Sequence, residues 1–135
     1  MYTANTAQLV KGWGDFLGGM EWDFFSTFTY RYDIGVKQNR NMMNKISKAL
    51  LKTSLDYQVF YMTEFSGYKT STHNHMLIKG DGVIDIIHKN LKGYITDKVI
   101  HLPYDSDKGA SYYVCKNITS PGIHYDVMIP ENKNK

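Results

Sequence analysis

The sequence predicts an α+β domain, a central antiparallel β-sheet with flanking helices packed mainly on one face. Three observations lead there. Several short stretches are rich in aromatic and β-branched residues and alternate as strands do. One longer stretch, "KQNRNMMNKISKALLK" (37–52), carries its apolar residues at helical spacing. The segments also follow one another as helix, strand, helix, hairpin, helix, strand, helix, strand, an order that suits one antiparallel sheet.

"NTAQLVKGWGDFLGG" reads as an amphipathic helix ended by Gly18 and Gly19. "DFFSTFTY" (23–30) is an aromatic, Thr-rich strand. Over 37–52, Met42, Met43, Ile46, Ala49 and Leu50 form one stripe, and Lys45, Lys48 and Lys52 fall on another face, read as solvated in preference to DNA contact. "LDYQVFYMTEF" (55–65) and "HNHMLI" (73–78) form a hairpin through "SGYKTST". "DGVIDIIHKNLKG" (81–93) is a short helix closed by Gly93. "KVIHLPY" (98–104) is a strand that Pro103 ends or pushes to an edge. "DKGASYYVCKNI" (107–118) reads as a helix and "GIHYDVMI" (122–129) as the last strand. Residues 129–135, with "PENKNK", read as a flexible tail.

A chain of 135 residues suits one domain spanning 1–135. Hydrophobic residues at 42% and charged residues at 21% are ordinary for a globular protein. No apolar run approaches the roughly 20 residues that span a bilayer, and "MYTANTAQLV" lacks the features of a signal peptide. A single cysteine, Cys115, allows no internal disulfide. A cytoplasmic location without membrane partners is expected. The net charge of +3 permits nucleic acid as a partner without demanding it. The stretch from Lys37 to Lys52 holds five cations and no acid, which places the positive charge unevenly.

The chemistry-bearing residues start with "HNH". Strand alternation puts His73 and His75 on one face and Asn74 on the other. Glu64, near the end of the preceding hairpin strand, can approach both imidazoles. Two histidines and a glutamate make a three-ligand metal site with open positions for water or substrate. The mixed donor set does not select one metal. Taken alone, His-x-His is a weak signal and Glu64 a solvated acid. In "SYYVCKNI", Tyr113 and Lys116 stand at i and i+3 and share a helical face. Tyr112 is turned by about 100°. A phenol needs help to become a nucleophile, and a neighbouring cation favours its phenolate. A nearby metal neutralises charge on a phosphate under attack. Cys115 reads as a small packing residue. His88, His101 and His124 read as ordinary surface or satisfied core residues.

Together, "FSTFTY" (25–30), "HNHMLI" and "YVCKN" (113–117) resemble in order and spacing the three motifs of the HUH endonuclease superfamily, specifically the rolling-circle replication initiator (Rep) proteins. The resemblance spans 25–117. It implies a ferredoxin-like or RRM-like layout. It implies that Glu64, His73 and His75 bind a divalent ion, Mg2+ or Mn2+, and that Tyr113 attacks a phosphate of single-stranded DNA at a replication origin. The products are a 5′-phosphotyrosine link and a free 3′-hydroxyl, and Lys116 steadies the phosphate or the metal-bound water. Microvirus initiators often carry a second tyrosine four residues after the first. Here that place is Asn117, so a single-tyrosine enzyme is expected. No "GxxxxGK[ST]" helicase signature is present, so a host or separate helicase and a polymerase are implied as partners. A homodimer is slightly favoured over a monomer. Arg31, Lys37 and Arg40 are candidate phosphate contacts.

Two other branches of the superfamily and two other classes compete. A single-tyrosine transposase usually carries glutamine where this chain has Lys116, and a relaxase usually carries three clustered histidines. A non-catalytic single-stranded nucleic-acid-binding module stacks bases on Phe24, Phe28 or Tyr30. A zinc hydrolase uses Glu64, His73 and His75 with a metal-bound water, which leaves Tyr113 and Lys116 unexplained.

Overall fold

In the computed structural model, residues 4–65, 72–105, 109, 111, 115 and 123–130 are described. The helix α1 (Ala4–Gly18) leads into strand β1 (Phe24–Tyr30), followed by α2 (Val36–Leu51), β2 (Gln58–Glu64), β3 (His73–Lys79), α3 (Val83–Leu91), β4 (Ile95–Pro103) and β5 (Ile123–Met128). The strands form one sheet in the order β4-β1-β3-β2-β5, and each neighbouring pair is antiparallel. The first four positions have the ferredoxin-like order: β3 lies between β1 and β2, which α2 connects. The last strand extends that sheet beyond β2. Pro103 closes β4, an edge strand, where a missing N–H costs no ladder bond. Among the described residues, no helix is long and apolar enough to cross a membrane.

Each strand sends alternate side chains to two different layers. Phe28, Tyr30, Val59, Tyr61, Met76 and Ile78 face α2 and α3 and pack with Met43, Ile46, Leu50, Val83, Ile87 and Leu91. Fully burying an apolar side chain of this size contributes about 1.5–3 kcal/mol, so this layer is the main core. In the stripe expected over 37–52, Met42, Met43, Ile46 and Leu50 are buried and Ala49 is half-buried.

With α2 and α3 on one side, the helices lie mainly on one face as expected, and α1 alone of the described helices covers the other. Leu17 of α1, with Val10 and Trp13, covers Phe60, Met62, Leu77 and Tyr125. Trp13 stands 5.8 Å from Phe60 and 5.4 Å from Tyr125, ring centre to ring centre. The reason lies in β2, whose Val59 to Thr63 are all buried. A central strand buried on both sides shows a continuous apolar run and needs a second layer.

A buried polar ring crosses the main core. Asn74 of β3 donates from Nδ2 to Tyr30 OH and accepts from Thr63 Oγ1. Asn39 of α2 donates to Thr63 Oγ1 at 2.9 Å and accepts from Tyr30 OH at 3.3 Å. Asn39 Nδ2 also lies 3.0 Å from His124 Nδ1, and His124 Nε2 lies 3.2 Å from Tyr61 OH. A neutral ring fits both contacts, accepting at Nδ1 and donating at Nε2. Burial holds the His124 pKa below its ordinary value, with the Arg40 charge lowering it further. Burial likewise pushes the Tyr30 and Tyr61 phenols well up, so both stay protonated.

The fold of β3 ends at Gly80, where φ is +123° and an added Cβ would stand 2.5 Å from Asp56 O. An Asn74→Ala substitution is expected to destabilise the protein by about 1–3 kcal/mol, because it strands buried partners. Urea unfolding checks this. A loss below about 0.5 kcal/mol, the level of a neutral surface change, would show the ring to be dispensable.

Candidate metal centre

The same alternation that turns Asn74 into the main core turns His73 and His75 to the other face. Two rows of side chains run across that face. One is Thr29, His73, Glu64 and Ile123; the other is Ile100, Thr27, His75, Met62 and Tyr125. Glu64 is therefore level with His73 in register. Its carboxylate leans along the strand, and Oε1 lies 3.3 Å from His75 Nε2. The rings of His73 and His75 are parallel, inclined by 5° with centres 6.3 Å apart. The His75 side chain is only 13% exposed, whereas Glu64 is 34% exposed. The imidazole is thus held in the fold while the acid reaches it from the rim.

Thr27, one strand over, was legible only as part of a Thr-rich strand. It pairs with His75 in register, and its Oγ1 lies 3.2 Å from His75 Nδ1. Phe25 meets the same ring at an inclination of 71°, 6.3 Å between centres. The hydrogen bond between Nδ1 and Thr27 Oγ1 fixes the ring and turns Nε2 toward Glu64. Metal-binding histidines are normally oriented by such a hydrogen bond at the other nitrogen. The donor set of two imidazoles and one carboxylate suits a divalent ion, with carboxylate and water favouring Mg2+ or Mn2+ and imidazole favouring zinc and its neighbours. Among the described residues, no three His, Cys, Asp or Glu side chains form a group that could hold a metal ion as they stand. Glu64 and His75 are in contact, and His73 stands beside them.

Tyr113 and Lys116 lie outside the described residues, as do Tyr112 and Asn117. Cys115, between them in sequence, is described. It is fully buried against Leu17, Trp22, Phe60, Met62 and Leu77, which is the histidine-bearing face of the sheet. Met62 is the register partner of His75. Burial pushes the Cys115 thiol up to about 12, so it packs as an inert group, as its sequence position suggested.

The basic candidates are separated from this centre. Lys37 and Arg40 are exposed on α2, which packs on the opposite face. Arg31 is exposed just after β1, and its Nε donates to Ile95 O at 2.7 Å. Of the aromatic residues proposed for base stacking, Phe28 and Tyr30 are buried in the main core and Phe24 packs against it. That overturns Phe28 and Tyr30 as a stacking platform, because their strand positions point under α2 and α3.

No family model, no curated protein and no solved structure matches this chain.

Replacing Thr27 with valine keeps the shape and removes the hydroxyl. Mn2+ affinity measured by calorimetry is expected to fall roughly 10–100-fold, the usual loss when an orienting partner is removed. Unchanged affinity would mean that Thr27 does not orient His75.

Proposed function

We propose that this chain is a metal-dependent, single-tyrosine endonuclease that nicks and rejoins single-stranded DNA at a replication origin, as a rolling-circle initiator does. The observation that carries the reading is the shared face. Glu64 and His75 meet at 3.3 Å with His73 alongside, on one face of the sheet. The reading also agrees with the ferredoxin-like strand order, which the three-motif resemblance implied.

A divalent ion, Mg2+ or Mn2+, supplies positive charge at the scissile phosphate. Glu64, His73 and His75 hold it, and Thr27 orients His75. The Tyr113 oxygen attacks phosphorus, forming a phosphotyrosine link to the 5′ end of the downstream strand. The bond from phosphorus to the 3′-oxygen breaks, and that oxygen takes up a proton to become a free 3′-hydroxyl. Lys116 favours the attacking phenolate and steadies the phosphate. The phosphotyrosine conserves the bond energy, so a later 3′-hydroxyl can displace it and reclose the strand. A helicase and a polymerase from the host or replicon supply unwinding and synthesis. A transposase of the same superfamily would use the same chemistry, and Lys116 in the glutamine position favours the initiator. The burial of Phe28 and Tyr30 speaks against a module that only stacks bases.

The protein is incubated with single-stranded oligonucleotides from the origin region of its replicon and with Mn2+, then run on a denaturing gel. A covalent protein–DNA adduct is expected, abolished by chelator and by Tyr113→Phe. Cleavage that leaves no protein-linked end and survives Tyr113→Phe would replace this reading with a metal-water hydrolase. His75→Ala should lower cleavage by more than roughly 100-fold, beyond the loss of an orienting partner. Its DNA affinity should change little, since that depends mainly on cations and salt. Equal loss of both would make the site structural.

A further inference from the structure

On the sheet face opposite the candidate metal centre, two histidines outside the proposed chemistry meet nitrogen to nitrogen. His88 Nε2 on α3 lies 2.9 Å from His101 Nε2 on β4. Their planes are inclined by 66° and their centres are 5.1 Å apart, so the rings extend away from each other on either side of the contact. His101 Nδ1 lies 2.6 Å from Oγ of the fully buried Ser26. Buried Phe28 stands edge-on to both rings, 5.4 Å from each centre.

Two imidazole nitrogens at this distance are bonded only when one carries a proton and the other a lone pair. Two neutral rings meet that condition. So does a pair that has gained one proton, in which a charged ring donates to a neutral one. A second added proton leaves two N–H groups facing each other and two like charges in contact, and the bond becomes a repulsion.

We propose that His88 and His101 form a proton-sharing clip that fastens α3 to the edge strand β4 and releases it when both rings are protonated.

The surroundings agree. On α3, Asp85 lies one turn before His88, Lys89 follows it, and Lys92 lies one turn after. On β1 the neighbours are Phe24, Ser26 and Phe28, none of which titrates at ordinary pH. On β4 the flanking residues of His101 are Ile100 and Leu102, while Asp97 of β4 and Arg31 after β1 line the same cleft as His88. The side of α3 that faces α2 is apolar: Val83, Ile87 and Leu91 are buried. Among the described residues, no carboxylate forms an ion pair with either ring. Burial first, and then the His88 charge, hold the His101 pKa below its ordinary value of 6.5. A histidine with a lowered folded pKa contributes stability that is complete above the unfolded value. That stability is lost as the pH falls through the unfolded value toward the folded one.

Two measurements test the clip. Long-range proton–nitrogen spectra of the imidazoles in the wild-type protein are expected to show, near pH 8, one protonated and one bare Nε2 for the pair. They should then show two coupled titration steps on acidification. Urea unfolding of wild type, His88→Gln and His101→Gln between about pH 5 and 8 should show a steeper loss of stability for wild type in acid. The difference is about tenfold in the unfolding constant for each unit that the folded and unfolded pKa values are apart. Independent titration of the two rings, or parallel stability curves for all three proteins, would overturn the proposal. So would strong stabilisation by Zn2+ that His101→Gln removes, which would make the pair a metal site.

Discussion

The constraint on which the structure depends is the buried hydrogen-bonded ring through Asn74. It joins Tyr30, Asn74, Thr63 and His124, one residue from each of four neighbouring strands, and Asn39 of α2 closes it. Apolar packing alone tolerates sliding between strands, because many apolar side chains fill similar space. A polar ring does not. A slip of one residue turns every side chain of a strand to the other face, which would leave Asn74 in the wrong layer and its partners unpaired in the core. Since an unmade buried hydrogen bond costs more than a made one contributes, the ring selects one register.

That register is also what composes the candidate metal centre. His73 and His75 flank Asn74 in sequence, so fixing Asn74 inward fixes both imidazoles outward. Thr63, bonded to Asn74, is the neighbour of Glu64, so the same contact brings the carboxylate level with His73. Thr27 arrives by the β1–β3 pairing, on the strand that Tyr30 ties to Asn74. The main-core side of the sheet holds the geometry, and the opposite side carries the candidate metal centre. The layer of α1 and Cys115 over Met62, Leu77 and Phe60 closes part of that face against water.

Much of this was legible in the sequence. The period-2 alternation of "HNHMLI" separates Asn74, Met76 and Ile78 from His73, His75 and Leu77, and the structure keeps that division. The stripe over 37–52 and the edge position of Pro103 were also readable, because each follows from local geometry. What escaped depends on contacts between distant segments. The second layer of α1 had a signal in the apolar run Val59 to Met62, but an apolar run does not name its cover. Thr27 became visible only with the β1–β3 register, and the meeting of His88 with His101 needs the docking of α3 on β4. Asn39 and Thr63 resemble solvated polar residues until the ring is assembled.

Pulsed electron paramagnetic resonance of bound Mn2+ tests the central claim most directly, since it reports nitrogen nuclei coordinated to the ion. Two directly bound imidazole nitrogens are expected, one lost in His73→Ala and the other in His75→Ala. Mn2+ bound without nitrogen coupling, or with coupling that survives both substitutions, would contradict it.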